Sequence, residues 1–195
     1  MTNEDTSGST RRLGVALAPG GLCVVQDLLN TEGVPVAPTL ELLDDETTAQ
    51  IWLDASLRTW GERTAQTPRR ISLGSGDLAP LRALRDDVRG WLTNGPDDPV
   101  PHSLAADVSF RDGRVTYEPS GDGATAVASL VHLEVLLASQ AGTLARLKTC
   151  MNPGCGAAFY DMSRNSTRVW HDMKTCGNTM NLRASRARRR ATPAP

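Results

Sequence analysis

Three of the chain's four cysteines, Cys150, Cys155 and Cys176, fall within one short stretch near its C-terminal end, and His171 stands five residues before the last of them. The spacing reads C-x4-C, fifteen residues, then H-x4-C. Two close pairs joined by a spacer that lets the chain return supply four soft or borderline ligands, which is what zinc takes in a tetrahedron. Asn152-Pro153-Gly154 between the first pair is a tight-turn sequence suited to a metal knuckle. Gly156 and Gly177 follow two of the cysteines, where a residue without a Cβ lets backbone fold round thiolates. With four protein groups bound, no coordination position is left for a catalytic water. The expected cofactor is therefore one structural Zn2+ held by Cys150, Cys155, His171 and Cys176. The histidine argues against an iron–sulfur cluster. Cys23, in the run Leu22-Cys23-Val24-Val25, reads as a small buried hydrophobe. His102 and His132 lie outside the motif.

The charges are unevenly spread. Net charge is only −1, but residues 146–190 hold ten Lys or Arg against Asp161 and Asp172, so this segment carries +8 and the rest −9. Such asymmetry points to a polyanion, or to attraction between the two parts of the chain. After Cys176, Asn178 or Thr179 can cap a helix, on which Arg183, Arg186 and Arg190 share a face and Arg188 and Arg189 widen it. Arg164 and Arg168 form a second basic piece inside the zinc loop, among small polar residues that suit phosphate oxygens. A metal-anchored helix rich in arginine suits phosphates or a major groove, so a nucleic acid is the expected partner. The alternative is a zinc-stabilised protein-interaction or RNA-binding module without sequence-specific DNA recognition. Trp170 is expected to pack beneath the metal as a miniature core rather than to stack on a base.

The elements that must position these groups are mainly helical. Residues 1–12 are polar and expected to be disordered. Leu13–Ala18 reads as a strand, and Leu22–Leu29 as a strand or short helix closed at Asn30-Thr31. From about Asp44, Leu53, Leu57 and Trp60 recur at helical spacing. Asp77 is a good N-cap for a helix to Asn94, with Leu81, Leu84, Val88, Trp91 and Leu92 inward. Pro35, Pro38 and the 95–102 stretch read as loops. Val108–Phe110 and Val115–Tyr117 alternate around Asp112-Gly113, a hairpin signal. Ala124 to about Thr149 reads as the most apolar helix, with Leu130, Leu133, Leu137, Ala141 and Leu144 on one face, feeding directly into the cysteines. The predicted class is α+β, mainly helical. The predicted units are a disordered 1–12, an N-terminal domain over 13–149, a treble-like zinc segment with a basic helix over 150–190, and a disordered tail over 191–195.

The last fifty residues resemble the CGNR-type zinc-finger proteins of bacteria, which carry an N-terminal ABATE domain. The resemblance rests on Cys150-Met-Asn-Pro-Gly-Cys155, the run from Phe159 to Asn165, Trp170-His171 and Cys176-Gly177-Asn178-Thr179. Leu28-Leu29-Asn30-Thr31 is similar to a turn near the start of that family's first domain. Two positions depart from the pattern: His171 replaces a cysteine, and Thr179 replaces the signature arginine. It is mainly this resemblance that sets DNA ahead of RNA as the expected partner. The resemblance implies a transcription regulator whose ABATE-like domain senses an unidentified small molecule or forms a homodimer. Asn30 and Thr31 are expected to stabilise a turn rather than to line a pocket.

Residues 13–149 carry no glycine-rich phosphate loop, His-based metal motif or nucleophile elbow, so no enzyme is expected. No run of eighteen apolar residues suggests a membrane span, and the polar N-terminus lacks the apolar core of a secretory signal. The expected location is cytoplasmic, at the nucleoid if DNA is bound.

Overall fold

The computed structural model describes residues 8–35, 39–94 and 105–191. The expectations for residues 1–7, Pro38, the 95–102 loop and the residues after Ala191 lie outside these. Among the described residues five α-helices run in the order α1 (Leu22–Leu29), α2 (Glu46–Thr64), α3 (Leu78–Asn94), α4 (Gly123–Gln140) and α5 (Asn178–Ala191). Two antiparallel ribbons accompany them: β1 (Ala106–Arg111) with β2 (Arg114–Pro119), and β3 (Leu147–Thr149) with β4 (Ala158–Tyr160). The architecture is thus mixed, mainly helical, with two small sheets.

The core forms where α1, α2, α3 and α4 meet. Every residue of α1 is buried, including Cys23, whose thiol is pushed up to about 12 chiefly by burial. This is the small hydrophobe its sequence context predicts. On α2, Trp52, Leu53, Leu57 and Trp60 face inward, and Asp45 caps the helix by accepting from the Thr48 N–H. Leu81, Leu84 and Val88 of α3 are buried as expected, whereas Trp91 is exposed. The hairpin has the predicted turn: Arg111 pairs with Arg114, and Asp112 and Gly113 both take positive φ, the twist that closes a two-residue loop.

Four local expectations are corrected. Residues 8–12 are ordered: Ser9 and Thr10 are buried and bind Asp27, whose carboxylate accepts from the Thr10 N–H at 3.1 Å. Leu13–Ala18 makes no strand; a short 3-10 turn (Arg11–Leu13) leads into extended chain, because Gln26 takes the Ala18 N–H and the Ala16 carbonyl that a partner strand would have used. Asp77 does not cap α3. It ends a 3-10 turn and accepts from the Gly74 N–H and, across the fold, from the Ala124 N–H at the start of α4. Finally, α4 stops at Gln140, nine residues short of the expected end. Gly142 adopts the left-handed conformation, and the Thr143 N–H returns to the Ala138 carbonyl, the bond pattern of a helix C-cap.

The buried stripe of α4 also differs from the predicted one. It runs through Val127, Leu130, Val131, Glu134 and Ala138, leaving Leu137 exposed. Glu134 sits on the stripe because its carboxylate accepts from the Trp60 indole N–H at 2.6 Å and the Tyr117 hydroxyl at 2.7 Å. By length and composition α4 alone among the described helices would suffice to cross a membrane, yet 56% of it is buried inside this fold.

Candidate metal centre

The metal segment begins where β3 delivers Cys150. The Cys150 N–H bonds the Ala157 carbonyl at 2.9 Å, continuing the β3–β4 ribbon by one rung and folding the knuckle over it. Asn152 organises that knuckle. Its backbone carbonyl accepts from the N–H of Cys155 at 2.8 Å, and its side-chain oxygen accepts from the Gly154 N–H at 3.2 Å. Its amide then donates to the Cys176 sulfur at 3.3 Å. One buried residue therefore sets the first cysteine pair, through its carbonyl and side chain, and supports the fourth ligand, as outer partners of metal ligands do.

Cys176 is delivered differently. Asp172 caps a single π-turn, Met173–Gly177, by accepting from the Lys174 N–H at 2.8 Å, and its own carbonyl accepts from the Cys176 and Gly177 N–H groups. Isolated π-turns of this kind recur at functional sites. Gly177 is required here by close approach, since a Cβ would lie 2.3 Å from the Met173 sulfur and 3.1 Å from the Trp170 ring.

The result gathers one donor atom each from Cys150, Cys155, His171 and Cys176, all within 4.8 Å of one another. His171 turns Nδ1 to the cluster, 3.3 Å from the Cys155 sulfur. A tetrahedral zinc with Zn–S of ~2.3 Å and Zn–N of ~2.0 Å requires donor separations of roughly 3.5–3.8 Å. The set therefore fits zinc with small adjustments. The three cysteines are buried, and no disulfide links them. The Cys155 and Cys150 sulfurs share a hydrogen bond that lowers the Cys150 thiol and raises that of Cys155. All four predicted ligands are brought together, and the chain carries one structural zinc site.

The zinc segment is seated on the helical core by polar contacts. Asn30, at the end of α1, accepts from the Ala158 N–H at 2.8 Å and donates to the Ala158 carbonyl at 3.0 Å, occupying the free edge of β4 as a strand would. Gln26 adds a donation to the same carbonyl. Arg89 of α3 bridges the Leu29 and Gly156 carbonyls at 2.5 Å each. Arg12 donates to the carbonyls of Leu40, Asn30, Thr31 and Glu32. These cations lie at the carbonyl end of α1, where the helix dipole favours positive charge. Val34 and Leu13 pack with the cysteines, Ala157 and Trp170 in a second small apolar cluster, so Trp170 packs beneath the site as expected. Asn30 is more than a turn residue: it is the joint between the two parts.

Asp161 braces the zinc loop from within. It is fully buried and accepts from Lys148 at 2.8 Å and from the backbone N–H groups of Ser163 and Arg168 at 2.9 Å. Burial alone would raise its pKa, but these donors outweigh it and hold the carboxyl well below its usual range.

The predicted arginines divide into groups. Arg183, Arg186, Arg189 and Arg190 share an arc of α5, Arg188 lies on another side, and all five are exposed. Arg164 is exposed in the loop. Arg168 stacks 5.5 Å over the Phe159 ring and donates to the His171 carbonyl, so it helps to build the loop. Thr179, in the place of the signature arginine, bonds back to the Thr175 carbonyl at 2.7 Å. Sequence reasoning missed Asn152, Asn30 and Asp161 as parts of the centre. Only the turn chemistry of Asn152 hinted at one of them.

Residues 146–189 match the family model of the CGNR zinc finger. No curated protein shows significant similarity to the chain.

Proposed function

We propose that this chain is a zinc-dependent DNA-binding transcription regulator in which the metal centre presents α5 to the duplex. The observation that carries this reading is the direct continuation of the Cys176 π-turn into a helix with four arginines on one arc. Over the eight residues from Arg183 to Arg190 that arc spans roughly 10 Å, enough to meet successive phosphates along a groove. Arginine also offers bidentate contact to phosphate or guanine. Zinc acts structurally here, holding the turn from which the helix starts, and the four protein ligands supply no catalytic function. The helical unit over 13–149, ABATE-like by resemblance, serves sensing or dimerisation, and the protein works in the cytoplasm at the nucleoid.

Selection of genomic DNA fragments by the zinc-loaded protein tests the reading, followed by titration of a selected duplex over a range of salt. Each phosphate contact contributes about −0.9 to the slope of log K against log salt. The Arg183→Glu, Arg186→Glu double variant should therefore flatten the slope by roughly 2. His171→Ala, which removes a ligand, should lose both zinc and DNA binding. Absence of duplex binding at low salt, or binding indifferent to the double charge reversal, would leave the protein-interaction alternative in its place.

A further inference from the structure

The β1–β2 hairpin carries an electrostatic arrangement that is unfavourable within one chain. Asp107 lies directly opposite Glu118, and Arg111 directly opposite Arg114. Like charges placed opposite each other across strands are destabilising. Among the described residues none of the four forms an ion pair. The ribbon is thus acidic at its base and basic at its tip. Its other face is apolar: at the base Tyr117 packs on Trp60 and Pro119 is buried, but toward the tip it is uncovered, with Val108 52% exposed, Phe110 80% and Val115 54%.

The two edges of the ribbon are not equivalent. The outer edge of β2 is occupied by Gln66, whose amide donates to the Val115 carbonyl and accepts from the Tyr117 N–H. Val115 and Tyr117 therefore direct their backbone groups away from β1. Their partners Phe110 and Val108 must do the same on the opposite side. Those β1 groups meet no hydrogen-bond partner among the described residues. An open edge with exposed apolar side chains is a template for another strand.

We infer that the occupant of this edge is a second copy of the chain, paired β1 to β1 in antiparallel register about Ser109. Two constraints select this register. Backbone parity requires Val108 and Phe110, whose groups point outward, to face outward-pointing residues of the second copy. Centring on Ser109 satisfies this by setting each Val108 opposite a Phe110. The same register sets each Asp107 opposite an Arg111 of the other copy, on the same face, so the acidic base of one ribbon lies beside the basic tip of the other. Shifting the centre to Val108 or Phe110 keeps the parity but loses both charge pairs. The assembled four-stranded sheet joins Val108, Phe110 and Val115 of both copies into one apolar face. The contact is isologous and closes as a dimer. It stands whether or not the protein binds DNA.

Sedimentation equilibrium on the zinc-loaded full chain tests the inference. The unaltered protein should sediment as a dimer. Asp107→Arg and Arg111→Asp each set like charges across the two-fold twice, and each alone should weaken association by at least about tenfold. An equimolar mixture of the two variants restores both opposite-charge pairs and should recover the dimer as a heterodimer. Val108→Pro removes an outward N–H that the monomer does not use, a position where an edge strand tolerates proline, and should give a monomer with unchanged helical signal and zinc content. A monomeric unaltered protein, a mixture that associates no better than its components, or a dimeric proline variant would each overturn the inference.

Discussion

Asn30→Ala removes the joint between the helical core and the zinc segment at a single side chain. Asn30 is 1% exposed and makes three side-chain hydrogen bonds, two to Ala158 and one to the Thr10 hydroxyl. The Ala158 carbonyl keeps Gln26 as a donor, but its N–H is left buried and unpaired. An orphaned buried donor costs about 1–3 kcal/mol, and the loss of two further bonds with the vacated volume brings the expected destabilisation to roughly 2–4 kcal/mol. That is a large fraction of a typical total stability of about 5–15 kcal/mol. Urea unfolding of the zinc-loaded protein should show a lower midpoint with an unchanged slope. Asn30→Asp keeps the acceptor but sets a carboxylate against the Ala158 carbonyl, so it should be no better than alanine. A loss below about 0.5 kcal/mol for Asn30→Ala would refute the account of Asn30 as a structural joint, because it would mean that the buried N–H finds another partner.

Two further outcomes follow from the centre. Gly177→Ala drives a methyl into the Met173 sulfur and the Trp170 ring; Met173 is exposed and can move, whereas Trp170 must yield a few tenths of an ångström. The expected loss is about 1–2 kcal/mol with weaker zinc retention, read by unfolding and by competition with a chromogenic chelator. Asp161 has a depressed carboxyl pKa, so its stabilisation is present above the ordinary carboxylate value and is lost as pH falls through that value toward the folded one. Asp161→Asn should lower stability at neutral pH and flatten its decline in acid, measured as unfolding midpoints against pH; an unchanged acid slope would contradict the assignment.

What could be read from the sequence was local. The ligand set was legible because a metal knuckle needs its donors at short spacing on tight turns. Cys150, Cys155, His171 and Cys176 declare themselves in that way. The Asp112-Gly113 hairpin and the inward faces of α2 and α3 followed from turn chemistry and periodicity. The errors arose where a distant group decided a local outcome. Residues 8–12 look disordered by composition, yet Asp27 on α1 orders them. Asp77 has the chemistry of a cap but serves the helix that begins at Gly123. Glu134, which no sequence signal singles out, is buried because Trp60 and Tyr117 donate to it from other elements. The joint at Asn30 is illegible for the same reason: its partner Ala158 lies 128 residues away. The sequence alone determined the metal chemistry, since ligands and turns are neighbours along the chain. Only the tertiary structure decided how that centre is seated and which strand edge stays open among the described residues, because polar groups take whichever partners the fold brings to them.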